Sequence, residues 1–267
     1  MTIAWVFVKN AGITPSAVTN ALRLLIDGCV MSDGQGIIAL TRAYLESRKL
    51  QELVVQSGLD LRVLNETELE QSIQDILKQR LRGAQRQRRS HSDVWIFAYG
   101  SLIWNPTVKF SDHRVGTIYG WHRRFCLWTP LGRGTPENPG LMLGLDRGGS
   151  CRGIAYRIPA EDILAELLIL WRREMVVGSY TPRWVKVVDG KDRWDAIAFT
   201  INHSHVMYTG NISNEVVVNS LATAHGKLGT CADYLVHTVD GLMKYGICDK
   251  PLLKLKEQVM AQQLLTQ

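Results

Sequence analysis

The first residues equipped for chemistry lie in the octet Phe97-Ala98-Tyr99-Gly100-Ser101-Leu102-Ile103-Trp104, where an apolar run meets a Gly-Ser turn. Val94, Ile96 and Phe97 are strand formers. Gly100 lets the backbone turn where a side chain would clash. A turn that points successive N–H groups outward makes an anion-binding nest, so the octet can offer backbone donors to a carboxylate or phosphate. Taken alone it reads as an ordinary strand-to-loop corner.

The second residue of interest is Glu174. Pro159 suits the opening of a helix over 160–175, and Glu161 and Asp162 suit its first turn. Ile163, Leu164, Leu167, Leu168, Leu170 and Trp171 form the apolar stripe. At about 100° per residue, Glu174 falls roughly 20° from Leu167 and from Ile163. It therefore points with the core-facing stripe, while Arg172 and Arg173 turn in other directions. A carboxylate placed there must raise its pKa or find a partner. Geometry alone leaves three readings open: a base, a buried ion pair with an arginine, or a helix-end glutamate that reaches solvent.

Other candidates carry less. Ser101 lacks the Gly-x-Ser-x-Gly elbow of a nucleophilic serine. Cys126 can be paired with His122 on paper, but it sits among apolar residues and reads as a core filler. His203 and His205 have no third ligand of matching spacing, so no metal site is expected. Gly226-Lys227-Leu228-Gly229 lacks the Gly-Lys-Ser/Thr ending of a P-loop. Trp121 and Trp128 are expected to pack the sheet.

The octet is followed by Gly120-Trp121-His122-Arg123-Arg124-Phe125-Cys126-Leu127, Gly132-Arg133-Gly134-Thr135, Leu170-Trp171-Arg172-Arg173-Glu174-Met175, Gly178-Ser179-Tyr180, Gly229-Thr230 and Asp233-Tyr234-Leu235. In this order and spacing the set resembles the ChaC family of glutathione-specific γ-glutamylcyclotransferases, over roughly residues 94 to 250. The resemblance implies an α+β fold, a γ-glutamylcyclotransferase-like mixed β-barrel with flanking helices. It implies a carbon–nitrogen lyase of the amidine-lyase class that cleaves glutathione to 5-oxoproline and Cys-Gly, with no cofactor and no metal. The carboxylate matching Glu174 is the catalytic residue of these enzymes.

The chemistry implied by the resemblance needs such a group. The free α-amine of the γ-glutamyl residue attacks its own γ-carbonyl and closes a five-membered ring. That amine is protonated at neutral pH, so a base must take its proton, and the same group can return it to the departing amine. An ordinary Glu, with a pKa of about 4.3, is a weak base for this, and a desolvated one is better. The resemblance makes Ala98, Tyr99, Gly100, Ser101, Leu102 and Ile103 the substrate-binding loop. Many family members carry Gly at the position of Ala98, so one small residue replaces another with less backbone freedom. Tyr180 can orient the base or bind substrate, or can be a half-buried strand-edge tyrosine. Arg133 can meet a substrate carboxylate or remain a solvated turn arginine. Two rival readings stay open. One is a cyclotransferase for other γ-glutamyl amino acids or amines. The other is a non-catalytic γ-glutamyl-binding regulator.

These residues must be held by a scaffold. From Asp93 onward, strands are expected at 94–97, 115–119, 124–129, 141–145, 153–158, 184–188 and 196–201, with an Asp189-Gly190 turn. Short strands separated by Gly and Pro turns suggest a barrel-like sheet, with helices at 160–175, 213–225 and 230–245. Residues 1–92 read as a helical appendage ahead of the domain at 93–267. Helices are expected within 14–28 and from 36 to 50. A third starts at Asn65-Glu66-Thr67-Glu68 and carries Leu69, Ile73, Ile76, Leu77 and Leu81. The appendage falls outside the resemblance, and its role is open between oligomer contact, regulation and partner docking.

Composition limits the rest. Of 267 residues, 46% are hydrophobic, enough for a real core, and no apolar run is long enough to span a bilayer. The apolar start at residues 1–8 has no basic region before it and no small-residue cleavage site, so a cytoplasmic address is expected. Five cysteines, Cys29, Cys126, Cys151, Cys231 and Cys248, include no CxxC pair, against a disulfide framework and against a zinc site. Much of the +6 net charge sits at 78–89 (KQRLRGAQRQRR). Without aromatic residues that run reads as a linker rather than a nucleic-acid platform. Glutathione is the expected small-molecule partner, and neither a nucleic acid nor a membrane is expected.

Overall fold

The alternating strands after Asp93 close into a five-stranded barrel. In a computed structural model, residues 37–84 and 93–265 are described. The strands are β1 (Val94–Ala98), β2 (Asp112–Thr129), β3 (Gly140–Ile158), β4 (Tyr180–Asp189) and β5 (Asp192–Ile201), in the order β1-β3-β2-β4-β5. Closure comes from β1 running parallel to β5 at Ile96↔Ile197 and from a β3–β5 pairing at Leu145↔Thr200. Ile96, Ile118, Leu143, Leu145, Ile154 and Ile197 are buried in the core that results.

Two pairs of expected short strands are each one long strand. The segments at 115–119 and 124–129 are both β2, and those at 141–145 and 153–158 are both β3. Glycine explains the merger. Gly120 has φ +80° at a register shift between Tyr119 and Trp121, close to the Gly148-Gly149 pair of β3 at φ +94° and +65°. Both strands bend there without breaking the ladder, as a bulge allows. A second shift lies between Phe125 and Leu127. The Asp189-Gly190 turn closes the β4–β5 hairpin at Asp189↔Asp192.

Seven helices among the described residues surround the barrel: α1 (Arg42–Glu46), α2 (Lys49–Gln56), α3 (Glu66–Ala84), α4 (Ile163–Glu174), α5 (Asn214–Thr223), α6 (Cys231–Lys244) and α7 (Lys250–Leu265). The single helix expected from 36 to 50 is instead α1 and α2, parted at Arg48, which has a left-handed φ of +60°. Helix α3 starts where Asn65 and Glu68 form a reciprocal capping box. The Glu68 amide donates to Asn65 Oδ1 (3.0 Å) and the Asn65 amide donates to the Glu68 carboxylate (2.9 Å). Helix α7 lies beyond the helices that the sequence predicts. It fully buries only Leu252 and Val259, so its helical periodicity is faint. The helix expected within 14–28, Cys29, and the basic run beyond residue 84 lie outside the described residues. No described helix is long and apolar enough to cross a membrane.

Helix α4 is packed on more than one side, which corrects the simple stripe. Leu167, Leu170 and Trp171 are fully buried, but Leu164 is exposed, and Arg172 and Arg173 are buried rather than turned outward. The reason is a second layer. From Ile37 onward the chain forms one compact unit, and α1, α2 and α3 all contact α4. Arg172 Nη2 meets Glu66 Oε2 at 2.7 Å, and the Trp171 indole donates to Ser72 Oγ at 3.0 Å. Glu166, also buried, accepts from Arg42 Nη1 at 2.6 Å and from the Lys109 amide at 2.8 Å.

The Arg42–Glu166 pair predicts a stability effect. Arg42→Met removes the cation and strands a buried carboxylate. Arg42 keeps partial solvent contact, so the expected loss is about 2–3 kcal/mol, below the ~3–5 of a fully buried pair. Urea unfolding measures it. The double variant Arg42→Met/Glu166→Met should regain most of the loss, because no charge is then left unpaired.

Candidate active site

Glu174 is the last residue of α4, and its side chain keeps 13% exposure. Burial raises its pKa above the ordinary carboxylate value, and the neighbouring Arg173 guanidinium opposes that rise, with Nε 3.0 Å from Oε1. Arg173 is itself fixed on the far side of the pair. Its Nη2 donates to Ser101 Oγ (2.9 Å), and its Nη1 donates to the Asn105 carbonyl (2.5 Å) and to Thr107 Oγ1 (3.2 Å). Thr107 holds a positive φ of 57°, and its hydroxyl also donates to the Pro106 carbonyl. One guanidinium thus ties the segment after β1 to the end of α4.

The loop at 98–103 is the end of β1 followed by a 3-10 turn over Ser101–Ile103. Its side chains divide sharply. Ala98, Tyr99, Leu102 and Ile103 are buried in the core, whereas Ser101 lines a cavity of about 530 Å³ together with Glu174. Tyr99 commits its hydroxyl to the Phe199 carbonyl at 2.8 Å. The turn's carbonyls are satisfied within the protein: Tyr99 O accepts from Arg123, Gly100 O from the Ile103 amide, Ser101 O from the Asn105 amide, and Ile103 O from Tyr156. No described residue accepts from the Ser101 and Leu102 amides.

Two buried tyrosines flank the site. Tyr180, the first residue of β4, donates its hydroxyl to the Leu143 carbonyl at 2.8 Å. Tyr234, in the first turn of α6, brings its hydroxyl beside Gly100. Burial, followed by neighbouring charge, keeps both phenols protonated: Tyr180 lies well above its ordinary pKa, and Tyr234 is pushed up to about 12. Both line the same cavity as Glu174.

Arg133 also lines this cavity. Its Nη1 donates to the Thr230 carbonyl at 2.9 Å, and its guanidinium carbon lies 5.9 Å from the Trp104 ring centre and 5.5 Å from that of Tyr234. The two-stranded hairpin of β6 (His225–Gly226) and β7 (Gly229–Thr230) makes room for it. Gly229 has φ +99°, and a Cβ there would come to 3.1 Å from Arg133 Nη1.

The structure therefore brings Ser101, Arg133, Glu174 and Tyr180 to one cavity and puts the side chains of Ala98, Tyr99, Leu102 and Ile103 behind it. Trp128, expected to pack the sheet, also lines the cavity. Cys126 is fully buried with its thiol pushed up to about 12, mainly by desolvation, and His122 instead places Nδ1 3.0 Å from the Gly148 carbonyl. His203 sits 2.6 Å from Asp146 and His205 2.9 Å from the Val177 carbonyl. No group of residues suited to hold a metal ion occurs among the described residues.

Two site residues, Arg173 and Tyr234, lie within the ordered motifs, but no role for either is legible in the sequence. A helical wheel turns Arg173 about 100° away from Glu174, and only its long side chain folds back to the carboxylate. For Tyr234 the available signal was Gly100. A Cβ on Gly100 would come to 2.9 Å from the Tyr234 hydroxyl. Gly100→Ala is therefore expected to destabilise the fold by about 1–3 kcal/mol through overpacking, read by urea unfolding. Adding Tyr234→Phe removes the clashing oxygen and should recover part of that loss. No recovery would place the strain elsewhere.

Comparisons with known proteins agree with this architecture. The family model described as ChaC-like protein matches residues 94–262. A glutathione-specific γ-glutamylcyclotransferase of Escherichia coli is 43% identical over 166 residues, spanning 62% of this chain and 72% of that protein. Glutathione-specific γ-glutamylcyclotransferase 1 of Mus musculus is 33% identical over 158 residues, spanning 57% of this chain and 71% of that one. The crystal structure of a γ-glutamylcyclotransferase specific to glutathione from yeast superposes with a TM-score of 0.58 at 22% identity. It covers 64% of this chain and 96% of the other, a likeness of fold. With the matched segment taking in all five barrel strands and α4 with Glu174, the chain belongs to the ChaC-like protein family.

Proposed function

We propose that this protein is a glutathione-specific γ-glutamylcyclotransferase, in which Glu174 takes the proton from the γ-glutamyl α-amine and returns it to the departing Cys-Gly amine. The nitrogen–carbon bond that closes 5-oxoproline forms as the γ-carbon–nitrogen bond to cysteine breaks, and the reaction needs no co-reactant. The observation that carries the reading is a carboxylate with a raised pKa facing a cavity, paired to an arginine that also grips the loop at 101–107. A raised pKa brings the base nearer to working pH, where proton transfer is most effective.

The other residues take supporting parts. The Ser101 and Leu102 amides are suited to an oxyanion or carboxylate. Arg133, which lines the cavity, is suited to a substrate carboxylate. Tyr180, protonated, holds the Leu143 carbonyl, and Tyr234, also protonated, packs its hydroxyl beside Gly100. Folding the γ-glutamyl arm into attack geometry supplies much of the rate gain. The matched relatives carry this activity in their names, and a cytoplasmic location, where glutathione is abundant, fits the reading.

The test is turnover by purified protein, with 5-oxoproline and Cys-Gly as readouts and γ-glutamylalanine as the comparison substrate. Stoichiometric formation of both products from glutathione is the expected result. Turnover of γ-glutamylalanine alone would assign another γ-glutamyl substrate. Turnover of neither would overturn the enzymatic reading.

A further inference from the structure

The cavity that holds Glu174 has a second wall of a different character. Ile38, Leu40, Leu53, Val54 and Leu61 line it, and all precede the family-matched residues 94–262. Hydrogen bonds fix this wall to the site. The Leu64 amide donates to the Val176 carbonyl at 2.9 Å, two residues beyond Glu174. Asn105 Nδ2 donates to the Leu40 carbonyl at 2.9 Å, and the Asn105 carbonyl in turn accepts from Arg173. The Ile38 amide donates to the Lys227 carbonyl at 2.6 Å. Met142, Val177 and Met207 extend the apolar lining.

Glutathione has little to place against such a wall. Its two ends are charged and its peptide groups are polar, so burying them there without partners is unfavourable. The cysteine sulfur is the exception. It lies three bonds from the nitrogen that departs, so a group on sulfur projects close to the reacting carbon.

We propose that this wall receives an apolar substituent on the cysteine sulfur, so that the enzyme prefers S-alkyl or S-aryl thioethers of glutathione to the free thiol. The inference rests on the cyclotransferase reading above. The bonds made and broken are unchanged. The α-amine nitrogen bonds to the γ-carbon, the bond from that carbon to the cysteine nitrogen breaks, and the products are 5-oxoproline and an S-substituted Cys-Gly. The thioether is neither oxidised nor reduced.

The experiment compares kcat/KM for glutathione, S-methylglutathione, S-butylglutathione and S-hexylglutathione, with 5-oxoproline as the readout. Each buried methylene is worth about fourfold, so kcat/KM should climb along the series and exceed that of glutathione at least tenfold for S-hexylglutathione, chiefly through KM. The double variant Ile38→Asn/Leu61→Asn, at two half-buried positions, should reduce the S-hexylglutathione to glutathione ratio by tenfold or more. Turnover of glutathione with a flat or falling series in the wild type would overturn this inference and leave the cyclotransferase reading standing. The same holds for a ratio unmoved in a double variant that still melts cooperatively. No 5-oxoproline from any of the four would overturn the cyclotransferase reading, and this inference with it.

Discussion

Glu174→Gln is expected to lower kcat for glutathione by about 10²–10⁴-fold, the range that a positioned general acid–base contributes. Glutamine keeps the size and planarity of the side chain but cannot accept the amine proton. A 10³-fold loss corresponds to about 4 kcal/mol of transition-state stabilisation. The control is Glu166→Gln, which neutralises another buried carboxylate of α4 that is bound to Arg42 and the Lys109 amide and is absent from the cavity lining. That variant should keep turnover within several-fold. An equal loss in both would mean that the charge of the helix matters rather than a base at its end.

The same residue sets two pH dependences. Glu174 must be ionised to act, and burial raises its pKa. Wild-type kcat/KM should therefore fall on the acid side with a midpoint above the ~4.3 of an ordinary glutamate. Stability runs in the opposite sense. An acid whose pKa is raised on folding contributes stability that is full below its unfolded value and is lost as pH rises through its folded value. Urea midpoints of Glu174→Gln should gain on the wild type as pH rises through that window. Parallel midpoints across it would show that Glu174 is not desolvated.

The second large effect is expected at Arg173. Arg173→Met removes the cation beside Glu174 and releases Ser101, Asn105 and Thr107 together. The pair is almost fully buried, so the stability loss should reach about 3–5 kcal/mol in urea unfolding. A loop displaced by about 1 Å is enough for a further 10²-fold loss in kcat/KM. Arg173 acts through its neighbours, as a positioning residue, so the diagnostic readout is the pH profile. Without the guanidinium, nothing opposes the desolvation of Glu174, and the acid limb should move to higher pH. Arg173→Lys restores the charge but not the planar fork that spans the loop. It should bring the acid limb back further than it restores kcat/KM. An acid limb unmoved in Arg173→Met would reduce the arginine to a purely structural role.

Much of this was legible in the chain because it is local. The helix start at Asn65 to Glu68, the Asp189-Gly190 turn and the apolar run that forms the buried end of β5 each depend on neighbours a few residues apart. The ordered motifs from Phe97 to Leu235 carried the family. The helix wheel aligned Glu174 with Leu167, and the structure leaves its carboxylate 13% exposed. The same wheel turned Arg172 and Arg173 away from the core. That failed because a wheel assumes one buried face, whereas α4 is packed from the barrel and from α1–α3. Strand lengths failed similarly. Glycines that read as breaks at 120 and 148–149 serve as bends when two strands carry them near the same level.

By itself, then, the sequence determined the barrel's strands, the family and the residue types at the site, since periodicity, turn chemistry and motif order are written within short windows. Only the tertiary structure decided how the site is assembled. Arg173 reaches Ser101 across 72 residues and Tyr180 reaches the Leu143 carbonyl across 37. The hydroxyl of Tyr234 fills the space left by the missing Cβ of Gly100. Residues 38–61, which no motif tied to the chemistry, supply the apolar wall beside Glu174. Such pairings depend on where closing the barrel puts distant segments, and the spacing along the chain carries no record of it.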